Sequence, residues 1–306
     1  MLWLAGGLIV AAIAFGTPQQ AQTPPSGDRP GVESATTASI EWTVCETPPP
    51  GIERRPSMRC QSALVVDNSG RQILFEKNSH QRRPIASLTK LLTALVFLET
   101  GTDLLKTATV TEEDALNSSK SHLRTGEELT LRDFLSAALV SSDNRAARVL
   151  ARSTSMTADQ FIARMNERAR ELGMDSTSVV EPTGLSELNL STAYDCAILI
   201  NAALENHLIR EITTTPEITL YPLNRKRSHR LVNTNRLLRF GREFLGSKTG
   251  YISESGWCIA ARARSGEEHD VTVIVLGAPS NNQRFRALDN ALRWAYRFPQ
   301  RSPQKS

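Results

Sequence analysis

Ser87-Leu88-Thr89-Lys90 sets a hydroxyl and an amine three residues apart. On a helix that spacing brings both side chains to one face, within reach of each other. Serine becomes a nucleophile when a neighbouring base takes its proton, and lysine can be that base only as a free amine. An ordinary lysine, with a pKa of ~10.4, is neutral about once in 2500 molecules at pH 7, a penalty of ~4.6 kcal/mol. Burial near another cation can lower the pKa by ~3 units and remove most of that penalty. The pattern is cheap on its own, since Ser302-Pro303-Gln304-Lys305 repeats it near the C-terminus.

Two more short motifs carry usable groups. Ser142-Asp143-Asn144 follows the apolar run 135–140. All three residue types serve as helix N-caps, and Ser280-Asn281-Asn282 has the same form. In a site, Ser142 would relay a proton and Asn144 would orient a substrate carbonyl. Lys248-Thr249-Gly250 stands before Tyr251. Alone it reads as a strand end and a turn. In a site it would supply a cation, a hydroxyl for an anionic group, and a glycine that lets substrate backbone lie against the strand. The ordered set, with Ser87, Ser142 and Lys248 successively 55 and 106 residues apart, arises by coincidence on the order of once in a thousand chains of average composition.

The elements that must position these groups follow from periodicity. Residues 63–67 and 72–76 read as two strands around the turn Asn68-Ser69-Gly70. Residues 87–99 form a helix apolar nearly all round, hence buried in the middle of a domain. Helices are expected over 131–140, 144–152, 157–172 and 192–205, the last with Ser191 as its N-cap. Strands return at 257–264 and 271–276, with another ending at Lys248, and a final helix spans 283–297. Strands at both ends with helices between them predict an α/β (α+β) fold, an antiparallel sheet flanked by helices with an all-helical lobe.

Composition narrows the function. The 306 residues are 40% apolar and 22% charged, with a net charge of +4. That is a globular balance with no electrostatic footprint for nucleic acid. His80, His122, His207, His229 and His269 are far apart and no C-x-x-C occurs. No metal site and no cofactor are expected.

Residues 1–17 lack charge, and the first charged residue is Asp28. The segment is short for a spanning helix, which needs ~20 residues, and reads as a secretory signal or a short membrane anchor, although no Lys or Arg precedes it. Residues 18–60 are proline-rich and read as a tether, with Trp42 and Val44 able to dock on the domain behind it. Cys45 and Cys60 either close a short loop by a disulfide, contributing ~3 kcal/mol, or remain separate thiols. Cys196 and Cys258 lie in apolar runs as packing residues. The folded domain is expected over 61–298, with a tail at 299–306.

The three motifs together resemble the penicilloyl serine transferases. Longer stretches, 82–90, 142–147, 181–185, 233–238 and 248–250, resemble the low-molecular-mass penicillin-binding proteins, the D-alanyl-D-alanine carboxypeptidase and endopeptidase family. The likeness covers about 62–298 and implies a β-lactamase/transpeptidase-like fold and a periplasmic serine DD-peptidase. Its substrates would be peptidoglycan stem peptides, and β-lactam antibiotics its covalent inhibitors. By resemblance, Ser87 forms the acyl-enzyme, Lys90 takes its proton and Ser142 passes one to the leaving amine. Asn144, Lys248 and Thr249 hold substrate, and the N–H groups of Ser87 and Tyr251 form the oxyanion hole. The single-domain length and the segment 121–126 look more like the endopeptidase branch. No arginine directly follows Lys248-Thr249-Gly250 to bind a terminal carboxylate, which leaves Arg262, Arg264 and Arg284 as candidates. Class A β-lactamases share all three motifs and have a glutamate near Glu181. They carry E-x-x-L-N there, whereas this chain reads Glu181-Pro182-Thr183-Gly184-Leu185, so Glu181 is expected to be structural and lactam turnover slow. A catalytically silent wall-binding module is the remaining alternative.

Overall fold

The structure, a computed structural model, describes residues 42–45, 52, 55–118, 121–266 and 269–298. The segments 1–17 and 299–306, and most of 18–60, lie outside the described residues. Six strands make the central sheet: β1 (Thr43–Val44), β2 (Ser62–Asp67), β3 (Gln72–Lys77), β4 (Glu243–Ile252), β5 (Gly256–Ser265) and β6 (His269–Ala278). Their order is β1-β3-β2-β6-β5-β4. Every neighbouring pair is antiparallel except β1 with β3.

Strand side chains alternate between faces, and both faces of this sheet are covered. Ala63 and Val65 of β2, with Val273 and Val275 of β6, point to one cluster that contains Phe285, Leu288 and Leu292. Leu64, Val66, Ile274 and Leu276 point to the other, which holds the helical lobe. Double-sided burial explains why β6 reads as the nearly unbroken apolar run Val-Thr-Val-Ile-Val-Leu. The helix on the first face is α7 (Asn281–Ala295), capped by Ser280.

The longer helices besides it are α1 (Thr89–Glu99), α2 (Leu131–Val140), α3 (Asn144–Arg152), α4 (Ala158–Glu171), α5 (Ala193–Ala203) and α6 (His207–Thr214). Residues 89–97 of α1 are all buried, because α2, α3, α4 and α5 pack around it. The all-round apolarity of its sequence is thus the signature of a central helix. Capping boxes at Thr130/Asp133 and Thr157/Gln160 begin α2 and α4.

Several sequence expectations are corrected. Ser87 lies in the 3-10 turn Ala86–Leu88 just before α1 rather than in the α-helix itself. Thr192, not Ser191, caps α5, accepting from Asp195 N, and Ser191 Oγ instead pairs with Thr177 Oγ1 at 2.7 Å. Strand β4 does not end at Lys248 but continues through Ile252. Of the two alternatives left open for Cys60 the structure has the one without a disulfide, its thiol donating to the Met58 carbonyl at 3.7 Å. Helix α6 and the hairpin Glu217–Leu220/His229–Val232 went unread, their apolar residues being too few to set a period. Trp42 docks as its composition suggested: it is buried edge-on against Tyr194, ring centroids 5.2 Å apart.

Candidate active site

The three motifs converge where the edge strand β4 meets the helical lobe. Ser87, Ser142, Asn144, Thr249, Gly250 and Tyr251 line one cleft of 310 Å³, with Arg284 and Trp257 at its wall. Lys90 and Lys248 are fully buried.

Ser87 is held by close backbone packing. Ala86 before it has a φ of 48°, a left-handed conformation that costs a residue with a Cβ about 1–3 kcal/mol. Two glycines make the turn possible. A Cβ at Gly184 would fall 2.0 Å from the Ala86 carbonyl oxygen, and one at Gly250 would fall 2.9 Å from Ser87 N. The sequence assigns Gly250 to substrate backbone; in the structure the turn 85–87 already lies against it. The same packing sets the Ser87 N–H beside the stretch of β4 that leads into Tyr251.

Lys90 Nζ has three neighbours. It is 3.0 Å from Ser87 Oγ, and it donates to Asn144 Oδ1 and to the Thr183 carbonyl, each at 2.6 Å. The two carbonyl oxygens can only accept, so they engage the two N–H groups of a neutral amine and turn its lone pair toward Ser87. Burial pushes the Lys90 pKa down to about 7, against the opposing pull of Glu181 and Asp143 and with help from Arg148.

Glu181 builds the platform for Thr183. Its carboxylate accepts from Thr183 N at 2.7 Å, Thr183 Oγ1 at 2.5 Å, Gly184 N at 2.6 Å and Asn189 Nδ2 at 3.0 Å. This is the structural role expected from its sequence context. Asn189 Nδ2 also reaches the Glu181 carbonyl and Thr89 Oγ1, tying the loop to α1.

Helix α2 runs out through Ser141 into Ser142, which has a φ of 63°. The N-cap of α3 is Asp143, whose carboxylate accepts from Ala146 N. It also accepts from Ser121 Oγ and His122 N, so the segment 121–126 hangs from the same loop. Ser142 Oγ accepts from Lys248 Nζ at 2.7 Å. Lys248 also donates to the Thr249 carbonyl at 3.0 Å. Its ammonium is disfavoured, first by burial and then by Lys90 and Arg284, and its pKa lies well below the usual lysine range.

Thr249 Oγ1 donates to Thr234 Oγ1 at 2.7 Å, and Asn235 Nδ2 donates to Ser247 Oγ at 2.9 Å. Thr234 N is itself fixed to the Val140 carbonyl. The stretch 233–235 thus braces β4 against the end of α2, a role that sequence reasoning missed although it had singled the stretch out. Thr183 was missed too, because it acts through a carbonyl that no side-chain pattern reports. Of the three candidate arginines, only Arg284 lines the cleft. Its guanidinium donates to the Gly250 and Cys258 carbonyls and lies 5.0 Å from the Trp257 ring centroid. Arg262 is committed to Asp270 at 2.7 Å, and Arg264 faces the same carboxylate at 3.7 Å.

A serine 3.0 Å from a buried lysine, between a sheet edge and a helical lobe, is the arrangement of serine enzymes that use lysine where others use histidine. The chain belongs to the D-alanyl-D-alanine carboxypeptidase family, whose signature spans residues 50–280. It is 33% identical to a D-alanyl-D-alanine endopeptidase of Pseudomonas aeruginosa over 84% of each chain. It is 34% identical to a D-alanyl-D-alanine carboxypeptidase of Bacillus subtilis, over 77% of this chain and 62% of that one. Among solved structures, the Streptomyces K15 DD-transpeptidase matches with a TM-score of 0.75 at 25% identity, over 79% of this chain and 99% of that one. A D-alanyl-D-alanine carboxypeptidase of Mycobacterium tuberculosis matches with a TM-score of 0.74 at 27% identity, over 85% and 98%.

Proposed function

We infer that the protein is a serine DD-peptidase that cleaves D-alanyl peptide bonds of peptidoglycan through an acyl-enzyme on Ser87. Family membership supports the activity and its substrate class. The observation that carries the residue roles is the pair of 2.6 Å contacts from Lys90 to Asn144 Oδ1 and the Thr183 carbonyl. They leave a neutral Lys90 one direction for its lone pair, toward Ser87.

In acylation, Ser87 Oγ bonds to the D-alanyl carbonyl carbon as Lys90 Nζ takes its proton. The N–H groups of Ser87 and Tyr251 receive the oxyanion. The C–N bond then breaks, Ser142 gives its proton to the leaving amine, and Lys248 replaces that proton. The 2.7 Å contact between Lys248 Nζ and Ser142 Oγ places the two groups for this transfer. In deacylation, water attacks the ester and its proton passes through Ser142 to Lys248, while Ser87 leaves with the proton held on Lys90. Thr249 and Asn144 hold the substrate, and Arg284 is the candidate arginine that lines the cleft.

A β-lactam acylates Ser87 by the same first step. Glu181 gives no support to a β-lactamase, because its lone pairs are engaged by Thr183, Gly184 and Asn189. The endopeptidase reading draws on the likeness to the Pseudomonas aeruginosa enzyme and on the segment 121–126 at Asp143. The enzyme works outside the cytoplasmic membrane, with residues 1–17 as the export signal or anchor. No helix of the described residues is long and apolar enough to cross a membrane. Incubation with a crosslinked muropeptide dimer and with a pentapeptide monomer, followed by mass analysis of the products, tests the activity. Release of monomers marks endo-cleavage and loss of one alanine marks exo-cleavage. Two unchanged substrates would refute the proposed function.

A further inference from the structure

Tyr251 and Trp257 stack with ring centroids 4.1 Å apart, and the pair is a wall between two cavities. One side faces the catalytic cleft of 310 Å³ and the other a groove of 630 Å³, for Tyr251 and Trp257 line both. A volume of 310 Å³ is at the small end of ligand sites, which run from about 300 to 1,000 Å³. A peptide longer than its terminal residues extends beyond so small a cleft. The groove beyond the wall is lined by Arg59, Gln61, Lys77, Ser253 and Glu254. Lys77 is anchored there, its Nζ donating to the Cys60 carbonyl at 2.7 Å with donors to spare. Arg59 is exposed and makes no ion pair among the described residues.

We propose that this groove is an extended subsite, in which Arg59 and Lys77 pair with carboxylates of the stem peptide that leaves the cleft past Tyr251 and Trp257. The proposal rests on the DD-peptidase reading and deepens it. A short substrate fills only the cleft, whereas a crosslinked peptide must run out of it, and this groove shares its wall. Glu254 adds a partner of opposite sign for a free amine on the same chain. Exposed ion pairs are individually weak and screened by salt, so the subsite selects among substrates rather than enabling the chemistry.

The test compares two substrates on the full-length protein and on an Arg59→Glu/Lys77→Gln variant. One is a blocked tripeptide ending in D-alanyl-D-alanine, and the other is the crosslinked muropeptide dimer. The expected result is a drop of about fivefold to tenfold in kcat/KM for the dimer at low salt. The tripeptide rate and benzylpenicillin acylation should be unchanged, and the difference between proteins should shrink in 0.5 M salt. An unaffected dimer would overturn the subsite, as would an equal loss on both substrates with lactam acylation intact. A wild-type protein that benzylpenicillin does not acylate would instead bring down the DD-peptidase reading.

Discussion

The backbone carbonyl of Thr183 accepts a 2.6 Å hydrogen bond from Lys90 Nζ, across 93 residues of sequence. A main-chain oxygen is an acceptor whatever the pH, so this contact keeps one amine N–H turned away from Ser87 in both charge states. The Lys90 amine is thereby oriented by a loop, and that loop is built on Glu181.

Acylation should follow the titration of Lys90. With a pKa of about 7, the free base is the minority below pH 7 and the majority above it. The second-order rate constant for benzylpenicillin acylation should therefore rise with pH and level off above about 8. A rate independent of pH between 6 and 8 would contradict this. Lys90→Arg should abolish acylation despite conserving charge, because arginine stays protonated at any workable pH.

The same shift makes a stability prediction. Unfolded, Lys90 binds its proton up to its ordinary pKa of 10.5, while folded it releases it near 7. Between these values the unfolded state holds more protons, so this group makes the protein more stable as pH rises through the window. Below 7 both states are protonated and the cost of burying the charge is complete. The Tm of the wild type relative to Lys90→Met should therefore climb from pH 6.5 to pH 9.5. A constant difference in thermal melts would show that the folded pKa is not depressed.

Gly250→Ala tests the packing of the turn that carries Ser87. Its new Cβ would stand 2.9 Å from Ser87 N and 3.0 Å from the Ile85 carbonyl oxygen. Backbone on both sides cannot give way without moving Ser87, and small displacements of reacting groups cost about a hundredfold in rate. Acylation should fall by about that factor while circular dichroism stays native. Wild-type rates would mean that the turn has slack.

Much of this was legible in the chain. Apolar runs at both ends of the chain and the all-round apolar helix pointed to the sheet and its central helix, and the three motifs named residues that gather in one cleft. What escaped has a common physical cause. The Thr183 carbonyl and the backbone fit of Gly184 and Gly250 act through main-chain atoms, which leave no side-chain pattern. Thr234 works through a single hydroxyl contact to Thr249, and only the fold brings those residues together. Ser191 and Thr192 are adjacent cap-forming residues, so composition could not choose between them.

Glu181→Gln separates the structural reading of that residue from a catalytic one. The neutral amide retains one acceptor for the Thr183, Gly184 and Asn189 donors. The variant should lose stability by about 1–3 kcal/mol, measured by urea denaturation, with the lifetime of a penicilloyl adduct no longer than in the wild type. An adduct that persists a hundredfold longer in the variant would make Glu181 a deacylating base.

The central claim is that Ser87 is the nucleophile of a serine DD-peptidase, and intact-mass spectrometry after mixing with benzylpenicillin tests it most directly. The predicted result is a single added penicilloyl mass that persists for minutes or longer, carried by the peptide containing Ser87 and absent from Ser87→Ala. Rapid lactam turnover with no adduct, an adduct retained in Ser87→Ala, or no reaction at all would contradict it.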